Sequence, residues 1–259
     1  MAALQLPPSA VDAALTAAVE PPATPEALAA LYRYRVPVTT DDGACAASKE
    51  LAPEPFDLGR ELFGTSDWAA EAAAHPTTAT LQRLTLLVQE LAKRTQVDWL
   101  GVYRLRQRPD GYRARGAAPP TPRQVPAFLT LLGTPSSRSH LSRSRYLLKL
   151  AYVGRPSRAV FPLNELFHDI SNNSWVAMEA RPKLIQDVAA YDGPYYACDG
   201  DVQSELCAPI VDPASGAVLG IIDAESFRKA HFTAERIAEV LQACADLGRC
   251  NLGFPVHSA

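Results

Sequence analysis

Hydrophobic positions recur at three- and four-residue spacing in two long stretches of the chain. After Pro76, Leu81, Leu84, Val88 and Leu91 keep this spacing and Leu87 widens the stripe, which predicts an amphipathic helix ending at Thr95 and Gln96. After Thr233, an N-cap residue with Glu235 in the first turn, Ile237, Val240, Leu241, Cys244 and Leu247 form the stripe of a last helix. Gly248 is placed to end it. Between the two, the period falls to two. VDWLGVYRL puts Trp99, Gly101 and Tyr103 on one face and Leu100, Val102 and Arg104 on the other. Tyr146 to Leu163 reads as two strands around a Gly-Arg-Pro turn, and KLIQDV as another short strand. Leu166 to Ile170 and Ser174 to Glu179 predict helical turns. SELCAPIV and AVLGIIDAES predict a hairpin across Asp212 to Gly216. This order predicts an α+β sandwich with a mainly antiparallel central sheet. The first and last helices pack on one face of the sheet, leaving the other for loops and a ligand.

Upstream the pattern weakens. Residues 1–66 are rich in Ala and Pro. Ser9 and Asp12 resemble a capping box for a short helix from Val11 to Val19, and a second helix is expected from Pro25 to about Tyr34. The rest of this region has no long periodicity and predicts an irregular extension, either lying on the main domain or partly mobile. Tyr32, Tyr34, Val36 and Val38 are its anchors, as an added strand or apron. The boundaries expected are 1–66 for the extension, 67–252 for the main domain and 253–259 for a tail. From Arg106 to about Arg145 the chain is rich in Pro, Arg and Ser, which is loop chemistry, with a short helix near Val125–Leu132. The bland reading is a solvated insertion between two strands. The sharper reading is a docking arm for an acidic partner or nucleic acid.

Composition narrows the classes. With 47% apolar residues over 259, the chain has enough for a sizeable core. The net charge of −3 predicts neither a nucleic-acid nor a membrane partner. The balance is uneven, with ten arginines and one lysine against Asp110 between Arg104 and Arg155. No aromatic residue interleaves with the arginines of RSHLSRSR, so nucleic-acid recognition is not expected. The five cysteines are scattered, form no CxxC and have no histidine cluster nearby, so neither a disulfide scaffold nor a metal site is expected. A reduced, cytoplasmic protein is expected, because the N-terminus reads as neither signal nor transit peptide and no run is long enough to span a membrane.

The hairpin carries the candidate chemistry. Glu205 and Cys207 share one face of the first strand, and Asp223 and Glu225 share one face of the second. Leu206, Ala208, Ile210, Leu219 and Ile221 already supply a core face. A face with three carboxylates is either wet or lines a pocket for a cation, because buried unpaired charge is very costly. Just upstream, Cys198 sits in a polar Gly/Asp loop where a thiol is accessible, although Asp199 and Asp201 oppose its thiolate. A cation such as Arg158 would help. Cys244, in a helix stripe, reads as core.

GPYYACDGDVQSELCAPIVDPASGAVLGIIDAESF, with VDWLGVYRL and RPKLIQDVAAYDG upstream, resembles the end of a GAF domain. It is most similar to the free methionine-(R)-sulfoxide reductase branch, over about residues 77–250 without the basic insertion. The resemblance implies a GAF-like α/β/α sandwich and an enzyme that reduces free L-methionine (R)-sulfoxide. Cys198 matches the cysteine that attacks the sulfoxide. Glu205, Asp223 and Glu225 match the pocket carboxylates that hold the substrate ammonium and supply a proton. Trp99 and Tyr103 match the aromatic side of the pocket. No bound cofactor is implied, only an external thiol reductant such as thioredoxin, and a homodimer. The family's two resolving cysteines are replaced by Arg158 and Asn173. Three outcomes stay open: Cys207 resolves, an external thiol reduces Cys198 directly, or turnover is lost. In the last case the chain is a non-catalytic GAF module, a small-molecule sensor or a subunit of a larger assembly.

Overall fold

The computed structural model describes residues 9–38, 50–107, 145–193, 195 and 199–254. Seven elements precede the main sheet: α1 (Ala10–Thr16), α2 (Pro25–Tyr32), β1 (Arg33–Tyr34), β2 (Phe56–Asp57), α3 (Leu58–Phe63), α4 (Ala69–Ala74) and α5 (Pro76–Thr95). Then come β3 (Trp99–Gln107), β4 (Arg145–Val153), β5 (Val160–Pro162), α6 (Glu165–Ile170), α7 (Asn172–Glu179) and β6 (Lys183–Ile185). The hairpin is β7 (Ser204–Val211) and β8 (Val218–Ser226), and the last helix is α8 (Ala234–Arg249). Strands β3 to β8 form one six-stranded sheet in the order β5-β4-β3-β8-β7-β6. Every neighbouring pair in it is antiparallel.

Strand alternation divides the sheet into two working faces. Leu100, Val102, Leu148, Leu206, Ala208, Ile222 and Ala224 point to one side and pack against α5 and α8. Those helices contribute Leu81, Leu84, Leu87, Val88 and Leu91, and Val240, Ala243, Cys244 and Leu247. On the other side, Trp99, Tyr103, Leu147, Phe161 and Ile221 meet Phe167 of α6 and Val176 and Ala177 of α7; Ile221 lies here and not on the helix-side core face expected of it, because 221 shares the strand face of Asp223. The result is the expected α/β/α sandwich. Pro76 opens α5, where its missing N–H costs nothing, and Gln96 closes it in the left-handed region at φ 56°.

Several details differ from the sequence expectation. Helix α1 stops at Thr16 rather than Val19, and α2 ends at Tyr32, because Arg33 and Tyr34 turn extended and pair with Asp57 and Phe56. Helix α3 forms where no periodicity was visible. One and a half turns are too short to show a stripe, and its caps define it instead. The Asp57 side chain accepts from the Arg60 N–H, and Gly64 ends it at φ 74°. Gly248 does not end α8, which runs to Arg249. It is there for close approach, since a Cβ at 248 would lie 2.1 Å from the Val211 carbonyl oxygen. Cys45, most of the basic insertion (108–144) and the helix expected near Val125–Leu132 lie outside the described residues. Among the described residues no helix is long and apolar enough to cross a membrane.

Candidate functional site

Register decides which alternating residues meet. Glu205 lies opposite Glu225 and Cys207 opposite Asp223 across β7 and β8. Trp99 lies opposite Glu225 and Gly101 opposite Asp223 across β3 and β8. Tyr103 lies opposite Lys149 on β4. The three carboxyl groups, the two aromatic residues and a lysine therefore stand on one sheet face, beneath α6, α7 and the turn between β4 and β5. There Trp99, Tyr103, Ser157, Phe161, Ser171, Asn172, Asn173, Glu205, Asp223 and Glu225 line a narrow, nearly filled cleft with a cavity volume of about 10 Å³. It continues toward Arg155, Pro156, Asp199 and Phe227. A wider apolar groove lies between α2 and Trp68, but few polar groups converge there.

Trp99 owes its position to Gly101. Its indole lies over that glycine, where any Cβ would come within 2.4 Å of the ring. The indole N–H donates to the Arg155 carbonyl at 3.0 Å. The Trp99 and Tyr103 rings are tilted at 6.4 Å, and Phe161 meets Tyr103 edge-on at 5.7 Å. Together they form one apolar wall.

The opposite wall is acidic and dry. Glu205, Asp223 and Glu225 are all buried. Burial pushes all three carboxyls up. For Asp223 the neighbouring Glu205 adds to this, and for Glu225 both Asp223 and Glu205 do. The Tyr195 hydroxyl donates to Glu205 Oε2 at 2.5 Å and works in the other direction. Lys149 and Lys183 also oppose the shift. Lys149 is fully buried, with Nζ donating to both Ser157 O and Ser157 Oγ at 2.8 Å and lying 4.0 Å from the Tyr152 ring centroid. Among the described residues no three His, Cys, Asp or Glu side chains converge as metal ligands do.

Cys198 and its neighbours 196 and 197 lie outside the described residues. The described residues on either side are anchored at the site. Tyr195 holds Glu205, while Asp199 and Asp201 accept from Arg155 at 2.7 and 2.5 Å. The Arg155 guanidinium is a cation on both of these acids. Arg158 lies over Phe161 and Phe167, at 5.6 and 4.9 Å from their centroids. Cys207, opposite Asp223 in the sheet, is buried with 0% exposure, and its thiol donates to Asn173 Oδ1 at 3.4 Å. Burial, then Asp223 and Glu205, push that thiol well up. Cys244 is core, as its stripe implied, and burial pushes its thiol up to about 12.

Among the cleft-lining residues Ser157, Phe161, Ser171 and Asn172 escaped the sequence-based expectation, as did Lys149 behind Ser157. A lysine inside the strand RYLLKLAYV was a legible signal, since a charge in an apolar strand has to face a polar site. Ser157 and Asn172 carry no such mark, because both sit in short polar segments typical of loops and helix starts.

A family model described as GAF domain matches residues 80–248. No curated protein matches the sequence. Solved structures resemble the fold at low identity. The type II free methionine-R-sulfoxide reductase of Thermoplasma acidophilum is 18% identical, over 70% of this chain and 99% of that one, with a TM-score of 0.48. The free methionine-R-sulfoxide reductase of Neisseria meningitidis, in complex with its substrate, is 15% identical over 71% and 83%, with a TM-score of 0.47. The GAF domain of an Acinetobacter phosphoenolpyruvate-protein phosphotransferase is 12% identical over 73% and 95%, with a TM-score of 0.43.

Proposed function

For this chain, which belongs to the GAF domain family, we propose thiol-dependent reduction of free L-methionine (R)-sulfoxide, with Cys198 as the nucleophile. The observation that carries the reading is the pairing of three buried carboxyl groups with an aromatic wall in one cleft. Ionised carboxylates take an ammonium, which a free amino acid has and a peptide-bound methionine lacks. The wall of Trp99, Tyr103 and Phe161 suits an S-methyl group, since sulfur packs favourably on aromatic edges.

The chemistry uses the same groups. The Cys198 thiolate attacks the sulfoxide sulfur. A carboxyl whose pKa burial raises keeps its proton to higher pH than a solvated one and gives it to the sulfoxide oxygen. The sulfoxide oxygen, with that proton, passes to the Cys198 sulfur as its bond to the substrate sulfur breaks, so methionine leaves and Cys198 becomes a sulfenic acid, oxidised by the two electrons the sulfoxide gained. Two thiol equivalents from an external reductant of the thioredoxin type then return Cys198 to the thiol and release water. Cys207 is a poor resolver in this cycle, because its thiol is buried, held by Asn173 and pushed away from the thiolate.

A second reading has its own support. The positions matched to the family's resolving cysteines hold Arg158 and Asn173, and both are engaged, on aromatic rings and on Cys207 respectively. In that reading the cleft binds the same class of ligand without turnover, as a sensor or interaction module. Incubation with free Met-(R)-sulfoxide and dithiothreitol separates the two. Methionine should form, and Cys198→Ser should abolish it. No methionine, or unchanged turnover in the variant, favours the binding module. A Cys198–Cys207 disulfide in peptide mass spectra after substrate addition would restore Cys207 as resolver.

A further inference from the structure

We infer that Tyr34, from the N-terminal region, is a positioning residue of the cleft: it holds the bulge in β4 that brings Lys149 and Tyr152 together behind Trp99. Its effect on ligand binding rests on the proposed function; its hold on the bulge does not.

Strands β3 and β4 slip by one residue between Val102 and Tyr103. Val102 lies opposite Ala151 and Tyr103 opposite Lys149, which leaves Leu150 as the extra residue. In an unbroken strand, residues 149 and 152 would face opposite ways. The bulge puts both on the cleft side, while Leu148, Leu150 and Ala151 pack into the helix-side core. The Tyr152 ring then stacks on the Trp99 indole, with centroids 6.2 Å apart and 25° between the planes.

A buried ammonium is costly unless something meets its charge. Lys149 is fully buried. Ser157 O and Oγ accept from its Nζ, and three ring faces lie within reach of it: Tyr152 at 4.0 Å, Tyr34 at 5.0 Å and Trp99 at 5.8 Å. Tyr152 and Trp99 belong to the main sheet, whereas Tyr34 comes from β1. It is fixed there by pairing with Phe56, whose ring is 5.4 Å away, and it meets Tyr152 edge-on at 5.5 Å. Its hydroxyl donates to the Lys149 carbonyl at 2.8 Å. That carbonyl stands at the bulge, just beyond Leu148, where the pairing of β4 with β5 stops. The Tyr34 hydroxyl thus takes the place of a strand neighbour where β4 changes face. Removing Tyr34 frees the bulge and strips one ring from the ammonium. Both changes reach Trp99 and Ser157, which line the cleft.

The test compares the full chain with three variants. Tyr34→Phe removes only the hydroxyl, and Tyr34→Leu removes the ring as well. Val11→Ala is the control, loosening the same region from α1, which packs on α5 and α8. Each protein is measured at an equal interval below its melting temperature. One readout is acylation of Lys149 by an N-hydroxysuccinimide ester, followed by peptide mass spectrometry. The other is calorimetric titration with L-methionine. Lys149 should be acylated about ten-fold faster in Tyr34→Leu and about three-fold faster in Tyr34→Phe, with methionine bound more weakly by similar factors. Val11→Ala should change neither. Unchanged protection of Lys149 in both Tyr34 variants, unchanged methionine binding in both, or equal effects in Val11→Ala would overturn this inference and leave the proposed function standing. Failure of the unaltered protein to bind methionine would count against the proposed function, and the acylation rates would still decide whether Tyr34 holds the bulge. Tyr34→Phe keeps the ring, so it should fold even if Tyr34→Leu does not.

Discussion

At the scale of single residues, the cleft trades stability for a binding charge. Asp223 is held protonated over a range where a solvated aspartate is ionised, because burial and then Glu205 disfavour its charge. The folded state therefore binds more protons than the unfolded one between the ordinary carboxylate value and the raised one. Stability falls as pH rises through that window. Asp223→Asn removes the effect. We expect a melting temperature about 2–4 °C higher at pH 7.5, with the gain vanishing toward pH 4, as thermal unfolding across pH would record. A lower melting temperature at pH 7.5 would show that the charge is not strained. The variant should also bind methionine less tightly. Tyr195→Phe acts oppositely on its neighbour. It removes the hydrogen bond that keeps Glu205 lower, so the Glu205 carboxyl should titrate at higher pH in a ¹³C NMR titration.

At the scale of elements, close approach outweighs propensity. Alanine is favoured over glycine inside a helix by about 1 kcal/mol, so propensity alone says that Gly248→Ala stabilises α8. The packing says the reverse, because the new Cβ would fall on the Val211 carbonyl of β7. Moving α8 off the sheet should cost about 1–3 kcal/mol, measurable as a lower urea midpoint. The same logic applies on the other face. Gly101 lets the Trp99 indole lie flat, so Gly101→Val should tilt the indole and weaken methionine binding with little change in the helix-side core. Titration calorimetry beside far-UV circular dichroism would separate these effects.

At the scale of the molecule, the N-terminal region belongs to the fold's core. Val11, Ala14, Leu28 and Tyr32 are buried in the same cluster as α5 and α8, and the Tyr32 and Thr78 hydroxyls are hydrogen-bonded at 2.8 Å. Burial of Val11, Leu28 and Tyr32 alone is worth about 5 kcal/mol before the entropy of ordering the chain. Deleting residues 1–38 should therefore lower the melting temperature by about 10 °C or more, and the full chain should unfold in one transition. Two transitions, or an unchanged melting temperature, would make the region a separate appendage. The Arg155 contact with Asp199 and Asp201 also works at this scale, joining the β4–β5 turn to the rim beside the hairpin. It is exposed, so salt should weaken it.

Local chemistry alone was enough for much of this. Periodicities of 3.6 and 2 located α5, α8 and the β7–β8 hairpin, because one-sided burial writes its period into the chain. Alternation grouped Glu205 with Cys207 and Asp223 with Glu225, and three acids on one face meant either a wet face or a site. The sequence alone did not show which strands would be neighbours or at what register. Only pairing brought Trp99 beside Glu225 and placed Lys149 behind Ser157. Gly248 makes the same point, since its role depends on a carbonyl 37 positions earlier in the chain. Burial and pairing between distant segments have no local period. For that reason the acidic face could be read in advance, while the groups that decide what it binds appeared only in the folded chain.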